Sequence, residues 1–194
     1  MTALNVGLLP GSIRSASVSR QLAAALVPLL ADHGLDSELI DLDEYPMSLY
    51  HGDDEVEQGQ PAQAIALCAR LVELDGLILV TPEYNGGPSA LLKNAIDWVT
   101  RVDRSVFKRL LIGLAAASPG QRGAKNGLSV MRSICDHMRL DIVPDDLSIA
   151  ESGAAFETVA GVPVFARSGD LDAAELFVAS YACRLLERSR VESA

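Results

Sequence analysis

The stretch that decides the fold is Thr81-Pro82-Glu83-Tyr84-Asn85-Gly86-Gly87-Pro88-Ser89-Ala90-Leu91-Leu92-Lys93-Asn94-Ala95-Ile96-Asp97-Trp98. It follows an apolar run, residues 76–80, that predicts a buried strand. After Gly-Gly-Pro the pattern becomes helical up to about Val102, and Ser89 is predicted to cap this helix. Open α/β sheets bind their ligands in polar loops at the carboxyl ends of such strands. We therefore expect a ligand-binding loop between a central strand and a helix.

The rest of the chain repeats this alternation of strand and helix. The predicted strands are residues 4–9, 37–42, 76–80, 109–117 and 141–144, and the predicted helices are residues 17–34, 61–73, 89–102, 124–139 and 171–190. Residues 43–60 are predicted to be a long acidic loop, either functional or mobile, and residues 145–168 to be irregular apart from a short strand near Ser148 and Ile149. This order predicts a single α/β domain with a five-stranded parallel sheet of order 2-1-3-4-5.

Composition excludes several classes of protein. The formal net charge of -10 argues against nucleic-acid and anionic-membrane partners, which require basic surfaces. The absence of an apolar run of about 18 residues and of a basic N-terminal region predicts a cytoplasmic protein without a membrane span or secretory signal. The three cysteines, at 68, 135 and 183, are predicted to be small buried residues in a reducing compartment, and the scattered histidines predict no metal site.

Three polar loops directly follow predicted strands that lie side by side at the centre of such a sheet. They are residues 10–20 after the first strand, 82–89 after the third and 118–123 after the fourth. Because the carboxyl ends of parallel strands meet at one edge, these loops line a single crevice at the topological switch point. The sequence therefore predicts one ligand site that is built from three separate loops.

The first of these loops has the composition of an anion site. Gly11 allows a tight turn, and Arg14 offers a guanidinium group that can donate two parallel hydrogen bonds to an anion. The loop leads into a helix N-terminus, which attracts phosphate. Hydroxyl donors come from Ser12, Ser15, Ser17 and Ser19. Neither the dinucleotide fingerprint Gly-x-Gly-x-x-Gly nor a Gly-Lys-Ser/Thr phosphate loop is present. The alternative is a serine-rich helix cap beside a surface arginine.

The other two loops are less specific. Tyr84 can pack against a planar ring while backbone groups beside Gly86 and Gly87 bond the edge of that ring, although a buried tyrosine in an ordinary turn is the alternative. Small residues in the third loop, Ser118-Pro119-Gly120, allow close approach of the backbone to a flat ligand.

These motifs resemble those of the NADPH-dependent FMN reductase family, within the flavodoxin-like superfamily. The resemblance covers roughly residues 4–140 and rests on Gly11-Ser12-Ile13-Arg14 with Ser17, on Thr81-Pro82-Glu83-Tyr84-Asn85 with Leu92-Lys93-Asn94-Ala95-Ile96-Asp97-Trp98, and on Ser118-Pro119-Gly120. It implies one flavodoxin-like three-layer domain over residues 1–194 that binds FMN without a covalent bond, accepts hydride from NADPH or NADH, and forms a homodimer or homotetramer. The family includes flavin, quinone, azo-dye and chromate reductases, so the acceptor stays open.

The resemblance also assigns site residues. The residues that it places at the FMN phosphate are Ser12, Arg14, Ser17, Val18 and Ser19. Those that it places along the isoalloxazine ring are Pro82, Glu83, Tyr84, Asn85 and Gly86, with Ser118, Pro119 and Gly120 closing the other edge. A second subunit is expected to supply a further wall through the loop at 43–60, which carries Tyr50 and His51; the alternative is a solvated acidic loop.

In the mechanism that the resemblance implies, a ping-pong reaction uses the flavin to carry hydride, so no side-chain nucleophile or general base is predicted. Glu83 is expected to form an ion pair with Arg101 of its own or a neighbouring subunit. Two rival functions also use FMN: a flavodoxin-type electron carrier and a non-catalytic FMN-binding protein. The acidic net charge suits an electron carrier, which docks through an acidic surface. The aromatic content of 5%, with one tryptophan, argues against a carrier, because a carrier packs its flavin between aromatic side chains.

Overall fold

The computed structural model describes residues 3–192, in which strands and helices alternate as predicted. The strands are β1 (Leu4–Pro10), β2 (Leu35–Leu39), β3 (Gly76–Thr81), β4 (Leu111–Ala117), β5 (Asp141–Ile142), β6 (Leu147–Ile149), β7 (Phe156–Val159) and β8 (Val162–Phe165). The helices are α1 (Val18–Asp32), α2 (Gly52–Gln58), α3 (Ala62–Val72), α4 (Ala90–Val102), α5 (Lys125–His137) and α6 (Ser168–Glu192). None of the helices within this range is both long and apolar enough to cross a membrane.

The central sheet has the predicted topology. Its strands run parallel in the order β2-β1-β3-β4-β5, and β6 also pairs with β4. Every residue of β3 and β4 is buried, which explains their continuous apolar sequences, because helices cover both faces of the sheet. β5 pairs with the start of β4 and β6 with its end, so the two short strands share one edge. The predicted α/β class and strand order are confirmed, but the sheet has six strands instead of the predicted five, because β6 also pairs with β4.

Each face of the sheet has its own hydrophobic core. Helices α1 and α6 pack on one face, and α3, α4 and α5 pack on the other. On the first face, the Tyr181 side chain of α6 lies over Gly76 and donates a hydrogen bond to the Leu111 carbonyl at 3.0 Å. A Cβ atom at Gly76 would lie only 2.1 Å from the Tyr181 hydroxyl oxygen. Glycine is required at this position because α6 approaches the sheet so closely.

The second strand and the segment at 145–168 both differ from their predictions. The second strand ends at Leu39 instead of Leu42, because the Asp41 side chain accepts a hydrogen bond from the Asp43 amide and starts a 3₁₀ turn over Leu42–Glu44. Residues 145–168 contain an unpredicted antiparallel hairpin formed by β7 and β8. The two residues between these strands, Ala160 and Gly161, both have positive φ, as a tight hairpin turn requires. No residue of β7 or β8 is fully buried, so the hairpin has only a weak apolar signal in the sequence.

The prediction for the cysteines holds at two of three positions. Cys68 and Cys135 are buried, and burial raises the pKa of the Cys135 thiol to about 12, so this thiol stays protonated at neutral pH. The prediction is wrong for Cys183, which is exposed on α6 with its sulfur 3.6 Å from a Glu187 carboxylate oxygen. Helical periodicity places Cys183 on the outer face of α6, one position after the buried Ala182.

The acidic segment at 43–60 is held on α4 and contains the short helix α2, which the sequence did not predict. The Asn94 side chain accepts a hydrogen bond from the Tyr50 amide at 2.8 Å and donates one to the Ser48 carbonyl at 2.9 Å. The indole N–H of Trp98 donates to the same carbonyl at 2.8 Å. We call residues 48–55 the strap, because these contacts fasten them across α4.

A polar cluster completes the attachment of the strap. Arg101 donates from Nε to the Glu55 carboxylate at 2.9 Å, and the Tyr50 hydroxyl donates to the same carboxylate at 3.0 Å. The Tyr50 ring packs edge-on against Trp98 with centroids 5.1 Å apart. Hydrogen bonding from Arg101 lowers the pKa of Glu55, and the bond to Glu55 raises the pKa of Tyr50.

The lowered pKa of Glu55 predicts an acid-sensitive strap. Because the folded pKa lies below the ordinary value of 4.5, the stabilisation from this carboxylate is complete above that pH and is lost as pH falls through the lowered value. Trp98 is the only tryptophan in the chain, so its emission reports on the strap. We expect the difference in emission between wild type and Glu55→Gln to be constant above about pH 4.5 and to disappear as pH falls from there through the lowered pKa of Glu55. Identical emission of the two proteins at all pH values would contradict this role.

Candidate functional site

The three predicted loops meet at the carboxyl edge of β1, β3 and β4, which are neighbours in the sheet. The Gly11 amide donates to the Val80 carbonyl at 2.9 Å, and the Gly11 carbonyl accepts a hydrogen bond from the Ser89 hydroxyl at 2.6 Å. A Cβ atom at Gly11 would lie 3.0 Å from atoms of Pro82, Ser89 and Leu92. The first two loops are therefore packed directly against each other, and glycine is what permits this contact.

The first loop forms the N-terminal end of α1. Ser17 caps the helix by accepting a hydrogen bond from the Arg20 amide at 3.3 Å. Ser12 is buried, and its hydroxyl oxygen has no hydrogen-bond partner among the residues that the structure describes. Arg14 is exposed and makes no ion pair with any residue in the 3–192 range. The Ser12 hydroxyl and the Arg14 guanidinium, both without a partner among residues 3–192, thus lie in the loop that leads directly into α1, whose dipole favours anions at this end.

Two further residues assigned to this loop lie in the first turn of α1. Val18 is half-buried and Ser19 is buried, at 2% exposure, so Ser19 turns its side chain towards the protein interior. Their backbone N–H groups belong to the first turn of the helix, whose donors lack partners within the helix. Val18 and Ser19 are therefore better placed to bind an anion with their backbone N–H groups than with their side chains.

The second loop is a tight two-residue turn rather than a flexible one. Tyr84 and Gly87 exchange backbone hydrogen bonds of 2.9 and 3.1 Å, and the residues between them, Asn85 and Gly86, have φ values of 53° and 79°. Positive φ at both central positions defines a type I′ turn, for which Asn-Gly is the preferred sequence. The turn leaves the Tyr84 side chain 49% exposed, which excludes the alternative of a buried tyrosine.

Glu83 does not contact Arg101 within the chain; Arg101 bonds Glu55 instead. The Glu83 carboxylate accepts a hydrogen bond from the Gly127 amide at 2.9 Å, in the first turn of α5. The residue preceding α5, Ala124, has left-handed backbone geometry and no side chain able to cap the helix. Glu83 therefore caps α5 although it is far from this helix in sequence. The same hydrogen bond connects the second loop to α5, the helix that follows the third loop.

This capping role predicts different effects for two substitutions of Glu83. Glu83→Ala leaves the Gly127 amide without its partner, so we expect a loss of about 1 kcal/mol in the free energy of unfolding. Glu83→Gln keeps an oxygen acceptor, and we expect it to lose only part of that amount. Urea denaturation measures both values, with Glu157→Ala on the exposed hairpin as the control. Equal stability of Glu83→Ala and wild type would refute the cap.

The third loop is supported by a segment that sequence reasoning missed. Ser118 donates its amide hydrogen to the Ile149 carbonyl at 3.0 Å and accepts one from the Ser152 amide at 3.0 Å, while the Glu151 amide bonds the Gly120 carbonyl at 3.1 Å. Pro119 and Gly120 themselves are exposed. Residues 149–152 thus fix the backbone of the third loop. Only the unusual positive φ of Glu151 marks this segment, and the sequence alone does not reveal it.

Comparison with solved structures defines the class of the fold. FerB, described as a flavoenzyme NAD(P)H:(acceptor) oxidoreductase from Paracoccus denitrificans, superposes with a TM-score of 0.78 at 22% identity, covering 95% of this chain and 98% of that one. An oxidoreductase from Corynebacterium diphtheriae gives a TM-score of 0.72 at 18% identity, with coverage of 95% and 98%. With the sheet order above, these matches establish a flavodoxin-like fold.

Sequence comparison then defines the family. The profile of the NADPH-dependent FMN reductase family matches residues 4–154. A 2-hydroxy-1,4-benzoquinone reductase from Burkholderia sp is 34% identical over 142 residues, 73% of this chain and 74% of the relative. A quinone reductase from Escherichia coli (strain K12) is 38% identical over 100 residues, about half of each chain at 51% and 52%. The chain belongs to the NADPH-dependent FMN reductase family: it is an oxidoreductase with FMN as cofactor and NAD(P)H as electron donor.

The residues of the crevice fit this cofactor. A phosphate group is an anion with several acceptor oxygens, and the first loop offers the Ser12 hydroxyl, the Arg14 guanidinium and the N-terminus of α1. A flat ring system requires an accessible wall, and the exposed Tyr84 and Gly120 lie on the second and third loops. The donor set and the shape of the loops therefore suit a phosphorylated planar ligand.

Proposed function

We propose that the three loops bind FMN and that the enzyme passes hydride from NAD(P)H through this flavin to a small acceptor. The observation that carries the proposal concerns the loop before α1: within the described part of the chain, the buried Ser12 hydroxyl has no hydrogen-bond partner and Arg14 has no ion-pair partner. Leaving a buried hydroxyl without a partner costs free energy, which a bound anion can recover. The phosphate of FMN supplies acceptors for both groups.

Each loop has its own part in this binding mode. The phosphate is bound by the first loop, through Ser12, Arg14 and Ser17 and the backbone of Val18 and Ser19. The isoalloxazine is bordered on one side by Pro82, Glu83, Tyr84, Asn85 and Gly86, and on the other by Ser118, Pro119 and Gly120. Glu83 acts as a positioning residue, because its bond to the Gly127 amide holds the second loop against α5.

The protein contributes position rather than acid–base chemistry to the reaction. FMN, when bound, supplies the capacity to accept hydride from a nicotinamide and to donate reducing equivalents. Tyr84 and Pro119 are exposed, so the second and third loops face solvent and admit a planar substrate. We propose that the nicotinamide and the acceptor use this opening in turn, which corresponds to ping-pong kinetics.

Quinones are the acceptor class that we propose first. Two relatives reported above are named as reductases of quinones, and a planar quinone suits an opening that also admits a nicotinamide. Free flavin, azo compounds and metal oxyanions are the other acceptors to compare. We further propose a single domain over residues 1–194, a homodimer or homotetramer, and a cytoplasmic location, with the net charge of -10 arguing against an anionic membrane surface.

Two anaerobic half-reactions test this function. Mixing the FMN-loaded protein with NADPH or NADH is expected to bleach the flavin absorbance near about 450 nm within seconds, and addition of a benzoquinone is expected to restore it. Initial rates with both substrates varied are expected to give parallel double-reciprocal lines. Bleaching by dithionite but not by either nicotinamide would contradict the proposal and favour an electron carrier.

A further inference from the structure

Two cationic side chains lie beside the third loop and have no part in the binding mode proposed above. Arg122 follows this loop closely in sequence, and Lys125 is the first residue of α5. The Lys125 amide donates a hydrogen bond to the Arg122 carbonyl at 3.2 Å, so both residues belong to one turn. Both are exposed. The turn therefore presents two positive charges to solvent at the rim of the crevice.

Neither charge is compensated within the part of the chain that the structure describes. No carboxylate there pairs with Arg122 or Lys125, and neither side chain donates a hydrogen bond to it. The nearby acidic side chains have other partners, because Glu83 bonds the first turn of α5 at 2.9 Å and Glu151 pairs with Arg167 at 3.7 Å. In a chain with a net charge of -10, two adjacent cations without acidic partners favour an anionic ligand.

The position of these cations separates them from the proposed site of the FMN phosphate. That phosphate is assigned to the loop after β1, whereas Arg122 and Lys125 follow β4, and β3 lies between the two strands. Neighbouring strands are about 4.8 Å apart, so the two loops begin about 10 Å from each other. The charges beside the third loop therefore suit a second anionic group.

The electron donor of this family can supply such a group. NADPH differs from NADH by a phosphate monoester on the adenosine ribose, the 2′-phosphate. A phosphate monoester carries about -1.5 to -2 charges at neutral pH and has three acceptor oxygens. Arginine binds such a group with two parallel hydrogen bonds, and lysine adds a point charge beside it. The pair Arg122 and Lys125 thus has the chemistry that distinguishes NADPH from NADH.

We propose that Arg122 and Lys125 bind the 2′-phosphate of NADPH and make NADPH the preferred electron donor. The nicotinamide enters the opening between the second and third loops, and the adenosine end of the molecule extends along the third loop to the start of α5. This inference rests on the proposed function, because it places the nicotinamide at that opening. It gives the turn after the third loop a role in selecting the donor.

Neutralising both charges tests the assignment by binding alone. Arg122→Gln/Lys125→Gln is compared with wild type and with Arg139→Gln/Arg190→Gln, a control that removes two exposed arginines near the C-terminal ends of α5 and α6. The probe is adenosine 2′,5′-bisphosphate, which carries the 2′-phosphate without a nicotinamide. Isothermal titration of the FMN-loaded proteins is expected to show about tenfold weaker binding of this probe to Arg122→Gln/Lys125→Gln and no change in the control.

The reductive half-reaction gives a second readout. In Arg122→Gln/Lys125→Gln, bleaching of the flavin is expected to need about tenfold more NADPH to reach half of its maximal rate. The maximal rate and the dependence on NADH are expected to stay as in wild type. Equal weakening for NADPH and NADH would contradict the inference, because the two cations would then bind the pyrophosphate that both donors share.

Failure of this inference is distinguishable from failure of the proposed function. A wild type that neither nicotinamide bleaches contradicts the proposed function. A wild type that NADPH and NADH bleach with equal half-maximal concentrations overturns the inference alone, as does a wild type that does not bind adenosine 2′,5′-bisphosphate. The same conclusion follows if Arg122→Gln/Lys125→Gln binds this probe as tightly as wild type. Circular dichroism and an unchanged dissociation constant for FMN verify that the variant is folded.

Discussion

Replacing Arg14 with alanine is expected to weaken FMN binding by about 10- to 100-fold while leaving the fold intact. A charge-assisted hydrogen bond contributes about 1.5–3 kcal/mol, and each 1.4 kcal/mol corresponds to about a tenfold change in affinity. Arg14 is exposed and has no ion-pair partner among residues 3–192, so its replacement removes no side-chain hydrogen bond or ion pair of the folded chain. The substitution is therefore expected to lower the affinity for FMN without changing the stability of the fold.

Fluorescence titration of the flavin-free protein measures this effect. The matched control is Arg190→Ala, which removes an exposed arginine from the far end of α6. Thermal denaturation without flavin is expected to give the same midpoint for Arg14→Ala, Arg190→Ala and wild type. An unchanged dissociation constant for FMN in Arg14→Ala would refute the phosphate-binding role of this residue.

Replacing Gly76 with alanine is expected to destabilise the protein by about 3 kcal/mol, the largest stability effect that we predict. The new Cβ atom would lie 2.1 Å from the Tyr181 hydroxyl oxygen, well inside van der Waals contact. Tyr181 is fully buried under α6, so its ring has no open space into which it can move. The contact therefore displaces α6 or bends the start of β3.

A double-mutant cycle isolates this contact. Tyr181→Phe removes the clashing oxygen, at the cost of the hydrogen bond to the Leu111 carbonyl, and is expected to lose about 1 kcal/mol alone. In the Tyr181→Phe background, Gly76→Ala is expected to cost much less, because the nearest remaining atom of the ring lies 3.1 Å away. Urea denaturation of the four proteins gives the coupling. Strictly additive effects would contradict the close approach of α6.

The parts of the fold that the sequence predicts well are those determined by residues that are close together in the sequence. The apolar run at 76–80 is buried in full as β3, and Ser89 caps α4 through the Leu92 amide, as predicted. A continuous apolar run and a serine ahead of a helical pattern are local signals, so no knowledge of the tertiary structure is needed. The Asn85-Gly86 turn had the same kind of signal and was predictable from its sequence.

The contacts that organise the site are not local, and this is why the sequence did not predict them. Glu83 and Gly127 are 44 residues apart, as are Asn94 and Tyr50, and nothing in either spacing indicates that the pairs meet. The expected ion pair between Glu83 and Arg101 relied on nearness in sequence. In the folded chain each side chain instead bonds a different element, because α4 directs Arg101 towards α2 and away from the second loop.

Direct comparison of FMN with riboflavin tests the central claim, that the loop at the start of α1 binds the phosphate of the cofactor. Both ligands carry the same isoalloxazine ring, and only FMN carries the phosphate. Titration of the flavin-free protein is expected to show FMN binding at least about 100-fold more tightly, since several charge-assisted hydrogen bonds depend on the phosphate. Equal affinity for the two flavins would contradict the account.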